Sequence, residues 1–207
     1  MTREELIKEY RFREILEAAR RVIGRHGFQG TTIDRVAEEA RIAKGTVYLY
    51  FSNKDDLLHV AIRDGLQKMI AETRENDDPS DPPLERIKAL VRTGYRIQST
   101  HQDFIKAFLL EPSFVSFEPG NERGAELRRI YAGHLEFIAS MLQAAIDAGA
   151  IRKIDPQFGA FMLTALLTGS LQRRLMNFVT TPLEEDADAV LELFLRGVQA
   201  VPCNGNK

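Results

Sequence analysis

The sequence predicts an all-α protein. Apolar residues recur at helical spacing along most of the 207 residues, and no segment shows a convincing strand alternation. Helix-capping and turn residues separate the periodic segments. The N-terminus is charged and no apolar run has the length of a membrane span, so we expect a cytoplasmic protein with no membrane partner.

The charge of the chain is unevenly distributed. The net charge is −2, but residues 1–54 carry 11 Lys and Arg against 8 Asp and Glu, and residues 55–207 carry 17 against 22. A mildly basic head on an acidic body fits a small nucleic-acid-binding domain joined to a second domain. We therefore predict domains at 1–54 and 55–207.

Four helices are predicted in the N-terminal third. Thr2 and Glu5 match a capping box, and Gly27 is suited to end the helix that they begin. Thr31 or Thr32 offers an N-cap for a short second helix. A break at 41–43 precedes the third helix, and an Asp-rich first turn favours a fourth. The predicted helices are 2–27, 32–40, 44–51 and 54–73.

The remaining helices follow an acidic, proline-rich linker at residues 75–83, which cannot be helical throughout. Gly149 ends a long helix, and Asp155-Pro156 begins the next, since proline is tolerated in a first helical turn. The predicted helices are about 84–99, 103–110, 125–148, 156–178 and 182–200.

The second and third helices have the plan of a helix-turn-helix, whose second helix enters the DNA major groove. At 100° per residue, Val47 and Phe51 share the side that faces inward. Gly45, Thr46 and Leu49 are predicted to face outward, flanked by Tyr48 and Tyr50. Lys44 lies at the N-terminal end of this helix, and Lys54 begins the next one.

These residue types suit a DNA duplex. Lysines neutralise phosphates, and Thr and Tyr hydroxyls bond phosphate oxygens. Gly45 permits close backbone approach, and Leu49 can pack on a thymine methyl. For any one residue, ordinary packing or a solvated surface is the better explanation. The whole constellation, placed after a short helix and a turn, favours DNA contact.

The first 65 or so residues resemble the DNA-binding domain of the tetracycline-repressor (TetR) family of bacterial transcriptional regulators. The densest match is Lys44-Gly45-Thr46-Val47-Tyr48 with Tyr50-Phe51, after Thr31-Thr32-Ile33 and before Leu57-Leu58. The resemblance implies a homodimer on a double-stranded, pseudo-palindromic operator, usually as a repressor. It also implies that residues 55–207 form a helical domain for ligand binding and dimerisation, joined through a connecting helix at about 55–73.

The resemblance also implies roles for individual residues. Thr32 is expected to cap the second helix and touch phosphate, and the outward residues of the third helix to contact backbone or base edges. Two positions depart from the family pattern. Arg41 stands where glycine is usual, so we expect either a left-handed backbone or a different turn, and a further phosphate contact. Ala43 replaces a serine-like residue and cannot cap the third helix.

The helix predicted at 156–178 is apolar nearly all round, so it needs burial nearly all round. A dimer through a four-helix bundle, with two helices from each subunit, would provide it. A monomer with one deeply buried helix is the alternative. The predicted interface residues are Phe161, Ala165, Thr168, Gly169, Gln172, Val190 and Phe194.

An apolar effector pocket is predicted in the body, where the resemblance also implies one. Its expected residues are Tyr95, Phe104, Phe108, Tyr131, His134, Phe137 and Met141. Tyr95 and His134 would be the polar groups that orient a ligand. The body contains no basic cluster of the kind that would indicate strong selection for an anionic ligand. We therefore expect a hydrophobic or amphipathic small molecule.

Two other function classes compete. An enzyme is disfavoured because the four histidines are dispersed and no nucleophile, phosphate-loop or metal motif occurs. The lone Cys203 allows no internal disulfide and no multi-cysteine metal site, and we expect neither metal nor cofactor. An architectural DNA-binding protein without a small-molecule effector remains the second alternative.

Overall fold

A computed structural model describes residues 2–105, 122–176 and 183–198. Over these residues the chain forms helices and no strand, which confirms the all-α class. The helices are α1 (Arg3–Gly30), α2 (Ile33–Glu39), α3 (Lys44–Tyr48), α4 (Lys54–Glu75), α5 (Pro83–Thr100), α6 (Glu122–Asp147), α7 (Pro156–Leu175) and α8 (Leu183–Val198). Within the predicted 103–110 helix, only residues 103–105 are described, and they are helical. None of the helices in the described part of the chain is long and apolar enough to cross a membrane.

The described residues divide into two compact units. The first comprises those of Met1–Met69 and His101–Ile130, and the second those of Ile70–Thr100 and Tyr131–Lys207. The boundary lies inside α4 and inside α6, so both helices contribute to both units. The first half of α4 belongs to the first unit because Leu57, Leu58 and Ile62 are buried in its core. The predicted division into a DNA-binding domain at 1–54 and a ligand-binding and dimerisation domain at 55–207 concerns function, and it stays a prediction.

The first unit begins with α1, whose start matches the sequence prediction. Glu5 donates its backbone N–H to Thr2 and accepts one from it, so the capping box is confirmed. Gly27 interrupts the helix as predicted, because its φ of 65° and ψ of 177° are not helical, and a short further helical turn then reaches Gly30. This conformation kinks the helix, and the Thr31 hydroxyl donates to the Gly27 carbonyl over 2.7 Å.

The turn between α2 and α3 is built on a left-handed residue. Arg41 has φ of 56°, which is the first of the two conformations expected for it. Its N–H donates to the Glu38 carbonyl and the Ile42 N–H to the Ala37 carbonyl, both over 3.0 Å. Together these bonds form a Schellman motif with arginine at the position that glycine usually occupies.

Helix α3 is shorter than predicted. It covers Lys44–Tyr48 rather than reaching Phe51, and residues 49–50 form a turn. Ala43 provides no side-chain cap, as expected, whereas Thr32 caps α2 by accepting the Arg35 N–H over 3.2 Å. The short helix therefore has little stabilisation of its own and depends on packing.

The second unit packs α5, α6, α7 and α8 around one apolar core. Asp155 caps α7 by accepting the Gln157 N–H, with Pro156 in the first turn as predicted. Val190 and Phe194 had been predicted in a dimer interface, but the structure buries both in this core. They lie on the side of α8 that faces its own subunit, and Leu193 is exposed instead.

We expect Arg41→Gly to raise the free energy of unfolding by up to about 1 kcal/mol, because glycine adopts a positive φ without a Cβ clash. Arg41→Ala is the matched control, since it removes the same charge but keeps the Cβ atom. Urea unfolding followed by circular dichroism measures both variants. Equal stabilisation in the two would contradict a conformational cause.

Candidate functional site

The inward side of α3 is fixed by aromatic packing in the first unit. Val47 is fully buried and Phe51 nearly so, which confirms their predicted direction. The Phe51 ring stacks on Phe12 of α1, with ring centroids 5.4 Å apart and an interplanar angle of 18°. Tyr50 tilts against the same Phe12 ring at 6.4 Å and is only partly exposed. These contacts hold the helix from behind.

The outward side of α3 is open. Leu49 is 79% exposed and Tyr48 is 50% exposed. Gly45 is exposed, and a Cβ atom built there would have no neighbour within 4 Å. Thr46 is partly exposed beside them. The four residues form one accessible face that suits close approach to a duplex.

The basic residues around this face are held by polar partners in the chain. Lys44 forms an ion pair with Asp34 at 2.8 Å, and the hydrogen bond to Asp34 raises the pKa of Lys44 above its ordinary value. Lys54 donates to the Gln29 carbonyl over 3.2 Å. Both lysines are placed near the ends of the exposed face, where a phosphate oxygen could replace a chain partner. Their role in DNA contact stays a prediction.

The start of α4 is fixed beside this face. Asn53 caps the helix by accepting the Asp56 N–H over 2.8 Å, which settles the choice between Ser52 and Asn53. Asp56 in turn accepts from the backbone and hydroxyl of Ser52, each over 3.0 Å. The reciprocal bonds orient Lys54 at the first position of α4.

Predicted pocket residues occur in both units. Phe104 is buried in the core of the first unit, where its ring lies close to Gly65. Phe108 lies outside the described residues. Met141 is 1% exposed and belongs to the core of the second unit.

Tyr131, His134 and Phe137 follow one another on α6 at helical spacing, and their part in a ligand pocket stays a prediction. The most unusual of these residues is His134. Its Nδ1 atom is buried and has no hydrogen-bond partner in the described part of the chain. Burial lowers the pKa of His134 to about 4, and the nearby positive charge of Arg74 acts in the same direction. His134 is therefore neutral at pH 7 and has an unused polar atom in an apolar setting.

One aromatic ring and one cation lie near this histidine. The Tyr131 ring lies 6.5 Å from the imidazole centroid, and the Arg74 guanidinium lies 5.3 Å from the centroid of the Phe137 ring. Arg74 also donates to the Gly133 carbonyl over 2.9 Å. Burial raises the pKa of Tyr131, although a hydrogen bond with Thr164 of α7 opposes the rise.

An exposed apolar face on α7 and α8 contains most of the predicted interface. Phe158, Phe161 and Leu193 are each more than half exposed. A shallow groove of about 310 Å³ is lined by Tyr131, Phe161, Ala165, Thr168, Gly169 and Gln172. The structure thus brings five of the seven predicted interface residues together, and adds Tyr131 from the predicted pocket.

Sequence reasoning missed a groove with two arginines in its lining, between α5 and α8. It is lined by Arg92, Tyr95, Arg96, Ser99, Thr100, Ala187 and Asp188, with a volume of about 460 Å³. The spacing of Arg92, Arg96 and Ser99 on one side of α5 was the available signal. Without knowing which helix covers that side, it reads as an ordinary solvated surface.

A short exposed helix, packed from behind and preceded by a tight turn and a second helix, is the arrangement of a helix-turn-helix DNA-binding transcriptional regulator. The sequence model of bacterial regulatory proteins of the tetR family matches residues 15–61, which include α2 and α3. The HTH-type transcriptional regulator YhgD of Bacillus subtilis (strain 168), itself uncharacterized, is 31% identical over 153 residues. This match covers 73% of the present chain and 78% of that protein. The chain belongs to the tetR family.

Two further proteins extend the similarity along the chain. A fatty acid metabolism regulator protein of Bacillus subtilis (strain 168) is 22% identical over 192 residues, covering 92% of this chain and 97% of that protein. The crystal structure of the transcriptional regulator FadR from Bacillus subtilis, in complex with stearoyl-CoA, has a TM-score of 0.77 and 22% identity. It covers 91% of this chain and 100% of that one, so the fold is shared along nearly the whole length.

We expect Leu49→Ala to leave the free energy of unfolding within about 0.5 kcal/mol of the parent, because the side chain is exposed. Loss of its apolar contact should weaken binding to the preferred operator about five-fold or more. Fluorescence anisotropy with labelled duplexes measures the affinity. Leu6→Ala, an equally apolar and half-exposed change on α1, is the control. Unchanged operator preference and affinity in Leu49→Ala would show that Leu49 does not read DNA.

Proposed function

We propose that the chain acts as a homodimeric repressor on a pseudo-palindromic operator, and that a hydrophobic or amphipathic small molecule releases it. The observation that carries the proposal is the face of α3, on which Leu49 and Tyr48 are exposed while Val47 behind them is fully buried. Such a helix presents side chains and backbone to a major groove without cost to its own core. Membership of the tetR family supports the same use.

The homodimer is supported by the exposed apolar face of α7 and α8. Contiguous apolar surface on a folded protein marks an interaction site. Phe158 and Phe161 lie one turn apart on α7, and Leu193 adds an exposed side chain on α8. Gly169 has open space where a Cβ atom would lie, so a partner helix could approach closely there. Two such helices from each of two subunits would form a four-helix bundle.

The effector is supported by the surroundings of His134. A neutral, partly buried imidazole whose buried Nδ1 atom is unpaired among the described residues lies beside the Tyr131 ring and offers one polar contact. That combination fits a ligand with a long apolar part and few polar atoms. One structural relative was solved in complex with stearoyl-CoA. Stearoyl-CoA has an apolar acyl chain and a charged end, so it belongs to the amphipathic class of ligand proposed here.

Coupling between ligand and DNA is supported by how the two ends of α4 are anchored. In the first unit, Leu57 and Leu58 are buried in the core that also holds α3. In the second unit, Arg74 contacts Gly133 and Phe137 of α6. A ligand beside His134 that displaces Arg74 would shift this end of α4. The shift would change the spacing of the two DNA-binding heads in the dimer.

We expect Phe161→Glu and Leu193→Glu each to weaken dimerisation about ten-fold or more, because each buries a charge in an apolar interface. Sedimentation at micromolar concentration measures the fraction of dimer. Leu6→Glu places the same charge on an exposed apolar position of α1 and should leave the dimer intact. A parent chain that sediments as a monomer would contradict the homodimer.

The effector proposal is tested by measuring whether operator DNA and ligand weaken each other's binding. A melting screen of hydrophobic and amphipathic compounds identifies a ligand, whose affinity is then measured with and without saturating operator. We expect operator to weaken ligand binding by the same factor by which ligand weakens operator binding. His134→Leu should change the ligand affinity, and His101→Leu, on an exposed residue, should not. Ligand affinity that saturating operator leaves unchanged would refute the coupling and favour a DNA-binding protein without an effector.

A further inference from the structure

The groove between α5 and α8, defined above by its seven lining residues, has an unbalanced charge. Arg92 and Arg96 stand one turn apart on α5, and Asp188 of α8 is the one acidic residue of the lining. Arg92 is exposed and forms no ion pair with any residue that the structure describes. The lining therefore has a net positive charge, although residues 55–207 as a whole are acidic.

The second arginine is only weakly engaged. Arg96 lies 3.4 Å from the carboxylate of Glu72 on α4, and both side chains are partly exposed. An ion pair of this length at the surface contributes little, so Arg96 remains available to a stronger partner. Guanidinium groups one turn apart can bind the same carboxylate or phosphate, each through a pair of N–H donors.

Hydroxyl groups add neutral hydrogen-bonding capacity. Tyr95 is 3% exposed and lines the groove, yet its hydroxyl has no hydrogen-bond partner among the described residues. Burial raises the pKa of Tyr95, and the nearby Ser170 hydroxyl opposes the rise; that hydroxyl donates to Asp186 over 2.8 Å and keeps lone pairs that can accept from Tyr95. The Ser99 hydroxyl also makes no bond within the described chain. The Tyr95 oxygen is itself buried and is not open to the groove, whereas Ser99 is exposed and its hydroxyl can reach a ligand there.

The buried carboxylate nearest to this wall does not oppose an anion. Asp186 is 3% exposed and accepts hydrogen bonds from Arg173 and Arg174 at 2.8 and 2.7 Å, in addition to Ser170. Burial alone would raise the pKa of Asp186, but the bonds from Arg174 and Ser170 outweigh it and lower that pKa. Its charge is therefore compensated within the protein, and Arg92 and Arg96 are left for a ligand.

We propose that this groove binds the carboxylate or phosphate of a small organic anion, with Arg92 and Arg96 as charge partners and the Ser99 hydroxyl as a neutral donor. Ala187 and the Tyr95 ring supply apolar contact for the remainder of the molecule. The volume of about 460 Å³ is within the range of small-molecule sites. This groove is a different site from the effector site proposed beside His134. Of the residues predicted for the effector pocket, only Tyr95 lines the groove.

Occupation of the groove has a consequence for α4. An anion bound by Arg96 competes with Glu72, which is the α4 partner of that arginine. Binding would therefore release one of the contacts that hold this end of α4 in the second unit. The groove is thus placed to influence the same helix as the effector.

The test is direct binding to the full-length chain without DNA, measured by isothermal titration calorimetry. The probes are octyl phosphate, octanoate and neutral octanol, with inorganic phosphate as an anion that lacks an apolar part. The variants are Arg92→Gln, Arg96→Gln and Ser99→Ala. Arg196→Gln is the matched control, because Arg196 is exposed on α8 outside the groove. Circular dichroism melting verifies that each variant is folded.

We expect at least one of the two alkyl anions to bind the parent chain more tightly than octanol does. Either arginine variant should weaken that binding about ten-fold or more, and Arg196→Gln should not. Preference for octyl phosphate or for octanoate identifies which anion the groove recognises, and either supports the proposal. Equal binding of octanol, binding that survives both arginine substitutions, or no binding of any anion at millimolar concentration would overturn it. None of these results depends on operator binding or dimerisation, so they leave the repressor proposal to its own tests.

Discussion

The exposed face of α3, which we propose reads DNA, depends on the apolar packing behind it. Helix α3 has only five residues, and an isolated helix of that length is not stable in water. Its local sequence gives little help, since Ala43 provides no cap and the preceding Arg41 is in a left-handed conformation. What fixes α3 is burial of Val47 and the stacking of Phe51 on Phe12. The outward face can therefore vary with the operator while the inward face cannot.

The second unit combines a fixed apolar core with surfaces that the chain itself does not cover. Buried Asp186 ties the end of α7 to α8 through two arginines, so the relative position of these helices is set by paired charges as well as by packing. Phe161 and Leu193 remain exposed on the outer side of the same two helices. In this way one pair of helices is held together by paired charges and still has exposed apolar side chains, which we propose meet a second copy of the chain.

The periodicity of the sequence predicted which residues share a helix face. Whether a given face packs in the core or is exposed depends on tertiary structure, which the periodicity does not contain. The inward direction of Val47 and Phe51 followed from helical geometry. The same reasoning grouped Val190 and Phe194 correctly but could not tell the subunit core from an interface, since both are apolar. Gly27 predicted a positive φ, which is present, but not the further turn of helix beyond it. The α5–α8 groove joins residues about 90 positions apart, so no local pattern contains it.

The most direct measurement is selection of bound sequences from a random pool of DNA duplexes by the purified chain. We expect enrichment of a two-fold symmetric sequence whose half-sites are centred about one helical turn, or a small multiple of it, apart. Such a result requires both a sequence-reading α3 and a symmetric pair of subunits. A pool that stays random, or that enriches a single half-site without its symmetry mate, would contradict the homodimeric operator-binding mechanism.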